Sequence, residues 1–290
     1  MTSFKLGKLP PKIDSRTIKL SSILKLKLLP ALPEAFNIDD SLGGVEDNNM
    51  YANDRYGNCV IAARAHQTLR FEKFEQKLVI PITDQEVIDQ YFEESGGIDS
   101  GLYLLDSLKS WRKDGWTAAG KHYNIYAFAS VDPKNRDEVK HCIHLLGGVN
   151  YGFRVYQSAL DQFEAGEIWR VVRNPGMYRG GHGVYLHAFE NITGYNEIGP
   201  ICMTWGKRQQ MTWAFWEAYT DEAFGIVDNR NAWLEDSPVD VEKLDAYLQE
   251  ITGGGGDSDC PIAKAYILAG NTAARVLGRR TRIPPPIRER

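Results

Sequence analysis

The chain has 290 residues, 43% of them hydrophobic, and a net charge of −4 from 34 Lys and Arg against 38 Asp and Glu, enough apolar material for one large core or two lobes sharing a cleft. It contains no run of about 18 apolar residues to span a bilayer, and its opening MTSFKLGKLPPK lacks the apolar stretch of a signal peptide, so the expected location is cytoplasmic or within an intracellular particle. Four widely separated cysteines without CxxC spacing (Cys59, Cys142, Cys202, Cys260) argue against a zinc knuckle or a disulfide scaffold and fit a reducing compartment.

Charge is distributed unevenly. Residues 1–30 hold seven Lys and Arg against one Asp, residues 275–290 hold six Arg against one Glu, and the body between them is near −15. Basic arms of this kind can bind nucleic acid or an acidic partner, or fold back on their own acidic body. The regularly spaced Ile18, Leu20, Ile23, Leu24, Leu26 and Leu28 favour folding back.

In chain order, residues 1–44, broken by Pro10-Pro11, Pro30 and Pro33, read as an extended basic arm laid over the main domain. Residues 34–58 are rich in Asp, Asn and Gly and read as loop. A helix begins near Cys59, with Val60, Ala63, Leu69 and Phe71 at near-helical spacing. A second opens at Thr83, where Thr83 and Glu86 have capping-box spacing and Ile88, Tyr91 and Phe92 are expected to be buried. A third is expected over Gly101 to Lys113, and three helices in a row make one lobe.

The pattern then changes to strands at 123–130, 149–156, 183–190, 200–206 and 224–227, with helices over Asn135 to Leu146 and Ala214 to Glu222, so the second lobe is sheet-rich. Trp213, Phe215, Trp216 and Tyr219 are expected to pack that last helix on the sheet. The division is therefore an arm (1–44), a two-lobed domain (45–238), and a C-terminal part (239–290) of one helix, a Gly253–Gly256 linker and an Arg- and Pro-rich tail.

Cys59 follows Tyr56-Gly57-Asn58 at a helix start, where the helix dipole favours thiolate. A nucleophilic cysteine also needs an imidazole, and His182 in Gly180-Gly181-His182-Gly183 is the best placed. His66 lies two turns along the Cys59 helix, about 10 Å away, and His187, five residues after His182 in one strand, should face the opposite side. His141 and His144 have no third ligand at suggestive spacing, and the glycines at 253–256 lack a following Lys-Ser/Thr, so neither metal nor cofactor is expected.

A helical lobe opening with a cysteine, followed by a sheet lobe bearing a histidine, resembles the two-lobe plan of the papain-like cysteine peptidases. The stretch ITDQEVIDQYFEESGGIDSGLYLLDSLKSWRKDGW resembles that family's second helix, Gly-Gly turn and following helix; GGHGVYLHAFENITGYNEIGPICMTWGK resembles its histidine strand, Gly-Tyr hairpin and Trp-Gly strand. The likeness covers about residues 45–228. The Leu-Pro-Pro-Lys-x-Asp-x-Arg-Thr arm, Asn-Asp-x-Tyr-Gly-Asn-Cys loop and Thr-Trp-Gly-Lys strand are similar to those of uncharacterised bacterial and phage papain-fold proteins.

The resemblance implies an α+β two-lobe fold, a helical lobe with the cysteine helix and an antiparallel-sheet lobe with the histidine strand, acting on a peptide or protein substrate. It makes Cys59 the nucleophile and His182 the base, with the Asn53 amide and the Cys59 N–H as oxyanion donors, Gly57, Asn58 and Gly181 at the cleft, and Trp205 shielding the imidazole. One departure stands out: the asparagine that orients the imidazole in that family is Met203 here, and a thioether cannot do an amide's work. Thr204, given a shifted strand register, or Asn196 in the hairpin is left for the role. The functional expectation is a thiol hydrolase cleaving a peptide or isopeptide bond. The alternatives are an inactive structural or binding protein, particle-associated and gripping a partner with its basic arms, or an acyltransferase or deamidase using the same pair.

Overall fold

The computed structural model describes residues 4–228 and 238–251; the Gly253–Gly256 linker, Cys260 and the Arg- and Pro-rich tail lie outside them. Residues 1–244 form one compact unit and 245–290 a second, and the architecture below is that of the first.

The N-terminal 44 residues are less uniformly extended than expected. They contain helix α1 (Leu20–Ile23), a 3-10 turn (Leu26–Leu28), strand β1 (Phe36–Asn37) and helix α2 (Ile38–Ser41). Ile18, Leu20 and Ile23 are buried, and the backbone is pinned by bridges from Lys19 to Ser130 and from Leu24 to Val239. Apolar burial and these local pairings set the arm's course once proline has broken any longer helix.

Helix α3 (Cys59–Gln76) is the centre of the helical lobe, and Cys59 through Glu72 are all buried. A helix covered on every side must pair its polar groups internally. Arg64 donates to Glu94 (2.7 Å) and to the Ser107 hydroxyl (2.6 Å), tying α3 to its two neighbours. Arg70 grips Asp39 through two nitrogens (2.6 and 2.9 Å) and Asp47 through a third (2.7 Å), while His66 sits 2.6 Å from Asp47. The charges beside it hold the Asp47 carboxyl far below the usual carboxylate range despite its burial.

Helix α4 (Asp84–Ser95) carries the capping box at Thr83 and Glu86 and ends on left-handed Gly96. Its fully buried apolar positions are Val87 and Tyr91, with Ile88 and Phe92 half-buried. Helix α5 (Leu104–Lys113) starts three residues later than expected, because Gly101 is left-handed and Leu102 pairs with the N-terminal arm. The hairpin of β2 (Trp116–Ala118) and β3 (Lys121–Tyr123) closes the lobe.

The second lobe is an antiparallel sheet in the order β4-β9-β5-β6-β7-β8, with β1 alongside β6, among the described residues. It is built from β4 (Ile125–Ser130), α6 (Arg136–Leu146), β5 (Val149–Tyr156), α7 (Gln157–Glu164), β6 (Tyr178–Asn191), β7 (Ile198–Thr204), β8 (Lys207–Gln210), α8 (Trp213–Tyr219) and β9 (Thr220–Asp228). Helix α9 (Val241–Ile251) follows. The sequence reading lacked α7 and β8. It also carried α8 to Glu222; instead the chain turns to strand at Thr220, where Thr220 and Glu222 pair with Phe153 and Gly152. As expected, Phe215 and Trp216 pack on the sheet, against Phe153 and Tyr151.

Candidate active site

The loop before α3 is cross-linked by its own amides. Asn58 donates to the Tyr51 carbonyl (2.7 Å) and accepts from Asn53 (3.1 Å), whose other amide hydrogen goes to the Tyr56 carbonyl (3.0 Å). Tyr51 and Ala52 are left-handed (φ 51° and 57°), a strained pair held by these bonds. Two expectations change. Asn58 is buried in the loop rather than lining the cleft, and both Asn53 amide hydrogens are engaged in shaping the loop instead of standing free for an oxyanion. What the loop delivers is Cys59 at the first position of α3, where the Asn58 side chain makes no capping hydrogen bond to the helix.

Strand β6 brings His182 to the same place: the N–H of the next residue, Gly183, points at the Cys59 sulfur at 3.3 Å. His182 Nε2 lies 2.6 Å from the Thr204 hydroxyl, whereas Nδ1 has no hydrogen-bond partner among the described residues. Trp205 stacks on the imidazole, centroids 4.1 Å apart and planes 15° from parallel. Its backbone adopts a left-handed φ of 44°, which an ordinary side chain tolerates at a cost of about 1 kcal/mol. Met203 packs with Ala63 and Tyr185 in the core, and Asn196 is exposed in its hairpin. His187 occupies a β6 bulge, 3.6 Å from Asp39 and inside the Arg70 cluster.

The groove above Cys59 and Gly181 is filled by residues 4–9 of the chain itself. Lys5 N–H donates to the Asn53 carbonyl (3.0 Å), Leu102 N–H to the Gly7 carbonyl (2.7 Å), Leu9 N–H to the Leu102 carbonyl (2.9 Å) and Lys8 N–H to the Gly181 carbonyl (3.1 Å). The strand runs parallel to Leu102 and antiparallel to Gly181. Phe4 closes over Trp205 and Phe163, with centroids 4.8 and 5.0 Å away. Gly7 crosses the loop so closely that a β-carbon there would sit 1.7 Å from the Gly57 carbonyl oxygen. Lys8 drops a fully buried ammonium between Asp221 (2.8 Å) and Glu222 (2.7 Å).

Under this strap Cys59 and His182 are each only 1% exposed. Burial raises the Cys59 thiol, outweighing the backbone N–H groups of Gly183, Gly7 and Lys8 that face it, and burial takes His182 down to about 3. Both shifts favour the uncharged thiol and the uncharged imidazole while the strap covers them. Of the residues singled out from the sequence, His182 lies against Thr204 and Trp205, Cys59 faces the Gly183 N–H, and Gly57 and Gly181 lie against residues 7 and 8. The sequence reading missed Phe4, Gly7, Lys8, Leu102, Asp221 and Glu222. The available signal was an acidic dipeptide opening an otherwise apolar strand in a chain with a basic N-terminus.

No family model matches the chain, and no curated protein sequence does. Solved structures do match in fold. Xylellain, a cysteine protease from Xylella fastidiosa, aligns at 16% identity with a TM-score of 0.60, over 79% of this chain and 98% of its own. Procathepsin B S9 from Trypanosoma congolense aligns at 12% identity and 0.53, over 77% and 86%, and digestive procathepsin L 3 from Tenebrio molitor larval midgut at 9% and 0.52, over 78% and 76%. The fold is papain-like, an α+β arrangement of a helical and a sheet lobe. No described helix is long and apolar enough to cross a membrane.

Proposed function

We propose that this protein is a thiol hydrolase of peptide or isopeptide bonds, latent while residues 4–9 occupy its cleft. The observation that carries the reading is the convergence at Cys59: a helix start at the sulfur, the Gly183 N–H at 3.3 Å, and, one residue before Gly183 on the same strand, a buried histidine with Nε2 held by Thr204 and Nδ1 uncommitted among the described residues. Once the strap lifts, water relieves the desolvation that keeps both groups neutral. His182 then takes the thiol proton, and the thiolate attacks the carbonyl carbon. The oxyanion falls to the Cys59 N–H, and His182 returns the proton to the leaving amine before water releases the acyl group. Thr204 takes the orienting place that Met203 cannot fill.

The test is alkylation of Cys59 by iodoacetamide across pH in the Lys8→Ala chain, followed by peptide mapping, alongside peptide hydrolysis. A reactive thiolate at pH 6 that disappears in His182→Ala, with hydrolysis lost in both His182→Ala and Cys59→Ala, is the expected result. A thiol titrating near 8.5 whether or not His182 is present points instead to a catalytically silent binding protein. Thr204 is a positioning residue: Thr204→Val is expected to lower kcat by about tenfold or more with KM little changed, and Thr204→Ser to restore it. Equal kcat in Val and Ser variants would remove Thr204 from the mechanism.

A further inference from the structure

The slot that receives Lys8 is built for a cation. Its wall is β5 at Gly152, where an added β-carbon would stand 2.2 Å from the lysine Cδ and 2.9 Å from Nζ. The paired residue on β9 is Glu222, and Asp221 precedes it. Two carboxylates converge on one ammonium, so the slot holds an excess of negative charge even when filled. Glu222 itself is 8% exposed, and its second oxygen, Oε2, has no partner among the described residues. A side chain with more N–H groups than lysine, such as a guanidinium, can use that oxygen as well. The backbone groups that hold the strap are general: the Leu102 and Gly181 carbonyls and the Leu102 N–H pair with main chain, whatever the side chains.

We infer that the slot formed by Gly152, Asp221 and Glu222 is a specificity pocket for a lysine or arginine side chain, and that peptides entering this cleft are selected by a basic residue placed where the strap places Lys8. The inference rests on the hydrolase reading only in calling those peptides substrates. Recognition of the basic residue is a binding property and stands by itself. Gly152 supplies the room, the aliphatic stem lies along the strand, and the two carboxylates remove the cost of burying the charge. A neutral side chain in the same slot leaves both carboxylates without a counterion.

The experiment measures equilibrium binding to the full chain carrying Lys8→Ala, which empties the slot of its own lysine, and Cys59→Ser, which prevents turnover. The probe is the fluorescein-labelled nonapeptide Phe-Lys-Leu-Gly-Lys-Leu-Pro-Pro-Lys, with its fifth residue kept, changed to arginine, or changed to norleucine. What remains of the strap competes equally with all three, so it scales their apparent affinities alike and cancels from the ratios. Lysine and arginine peptides are expected to bind within about threefold of each other, and the norleucine peptide at least about tenfold more weakly.

Adding Asp221→Asn and Glu222→Gln should reduce the lysine-to-norleucine ratio to about threefold or less. Should that variant not fold, Gly152→Ala, whose added methyl meets the lysine stem, should weaken lysine and norleucine peptides while sparing one with glycine at that position. Norleucine binding as well as lysine, a lysine preference that survives the carboxylate changes, or no measurable binding of the lysine peptide overturns the inference. Hydrolysis of reporter peptides by the Lys8→Ala chain with Cys59 intact separates the two readings. Basic-selective binding without hydrolysis removes the enzyme and leaves the pocket; hydrolysis without basic selectivity removes the pocket and leaves the enzyme.

Discussion

Lys8→Ala is expected to speed alkylation of Cys59 by iodoacetamide at pH 7.5 by roughly thirtyfold over the unaltered chain, an effect of about 2 kcal/mol. The ammonium it removes is fully buried against Asp221 and Glu222, whose side chains are 19% and 7% exposed. Taking one partner from a fully buried pair costs about 3–5 kcal/mol, because a charge is left in a poor solvent. Here Asp221 keeps some contact with water, so a smaller cost applies. The penalty falls only on the strapped state: with residues 4–9 out of the cleft, both carboxylates are hydrated and the lysine is not missed. The equilibrium therefore moves toward the open state, where the sulfur is accessible. Lys5→Ala removes the same formal charge from an exposed side chain and should leave the rate unchanged. Cys142 and Cys202 are buried, with the Cys202 thiol pushed up to about 12, so modification read by peptide mapping isolates Cys59. Equal rates in Lys8→Ala and the unaltered chain would mean that the strap does not gate the sulfur.

The parts of this site that were legible in the sequence are those with local causes. A Gly-Asn-Cys turn into a helix and a Gly-Gly-His strand each announce their geometry within a few residues, and the Thr83 capping box is a three-residue device. Thr204 was half legible: its position beside Met203 was visible, but whether its hydroxyl reached the imidazole depended on how β7 lies against β6. The strap was not legible, because it rests on contacts between residues far apart in sequence. Nothing around Gly7 says that its α-carbon must pass under the Gly57 carbonyl, and Lys8 meets its partners 213 and 214 residues away. Asp221 and Glu222 were hidden for a different reason. The aromatic run of α8 continues smoothly in helical period toward them, and only pairing with β5 converts Thr220 to strand. The polar residues of α3 show the same effect: Arg64 and Arg70 suggest a solvent face, but their partners on other elements draw them inside.

Acidification should open the strap between pH 6.5 and about 5, and the sign follows from His182. In the strapped state burial lowers its imidazole to about 3; exposed to water it returns toward the ordinary value near 6.5. The open state therefore binds a proton that the closed state refuses, and each pH unit through this window shifts the equilibrium toward opening by up to about 1.4 kcal/mol, or tenfold. Charged groups at the strap, among the described residues, include its own Lys5 and Lys8, Asp221 and Glu222 around the Lys8 ammonium, and Asp99, which accepts from the Gly57 N–H beneath Gly7. Burial raises the Glu222 carboxyl above its usual value, so protonating it favours the covered state and opposes the opening driven by His182. Hydrogen-exchange protection of the Lys8, Leu9 and Leu102 amides, each corrected for the intrinsic pH dependence of exchange, reads the equilibrium directly, because these amides make the strap's own bonds. Their protection should fall by about tenfold from pH 6.5 to 5 while amides in the middle of α3 hold theirs, which separates strap opening from global unfolding. In His182→Ala the pH dependence should flatten, since the group that binds the proton is gone. Protection that is constant over this range in the unaltered chain, or that falls equally in His182→Ala, would show that His182 is not the group coupling the strap to acid.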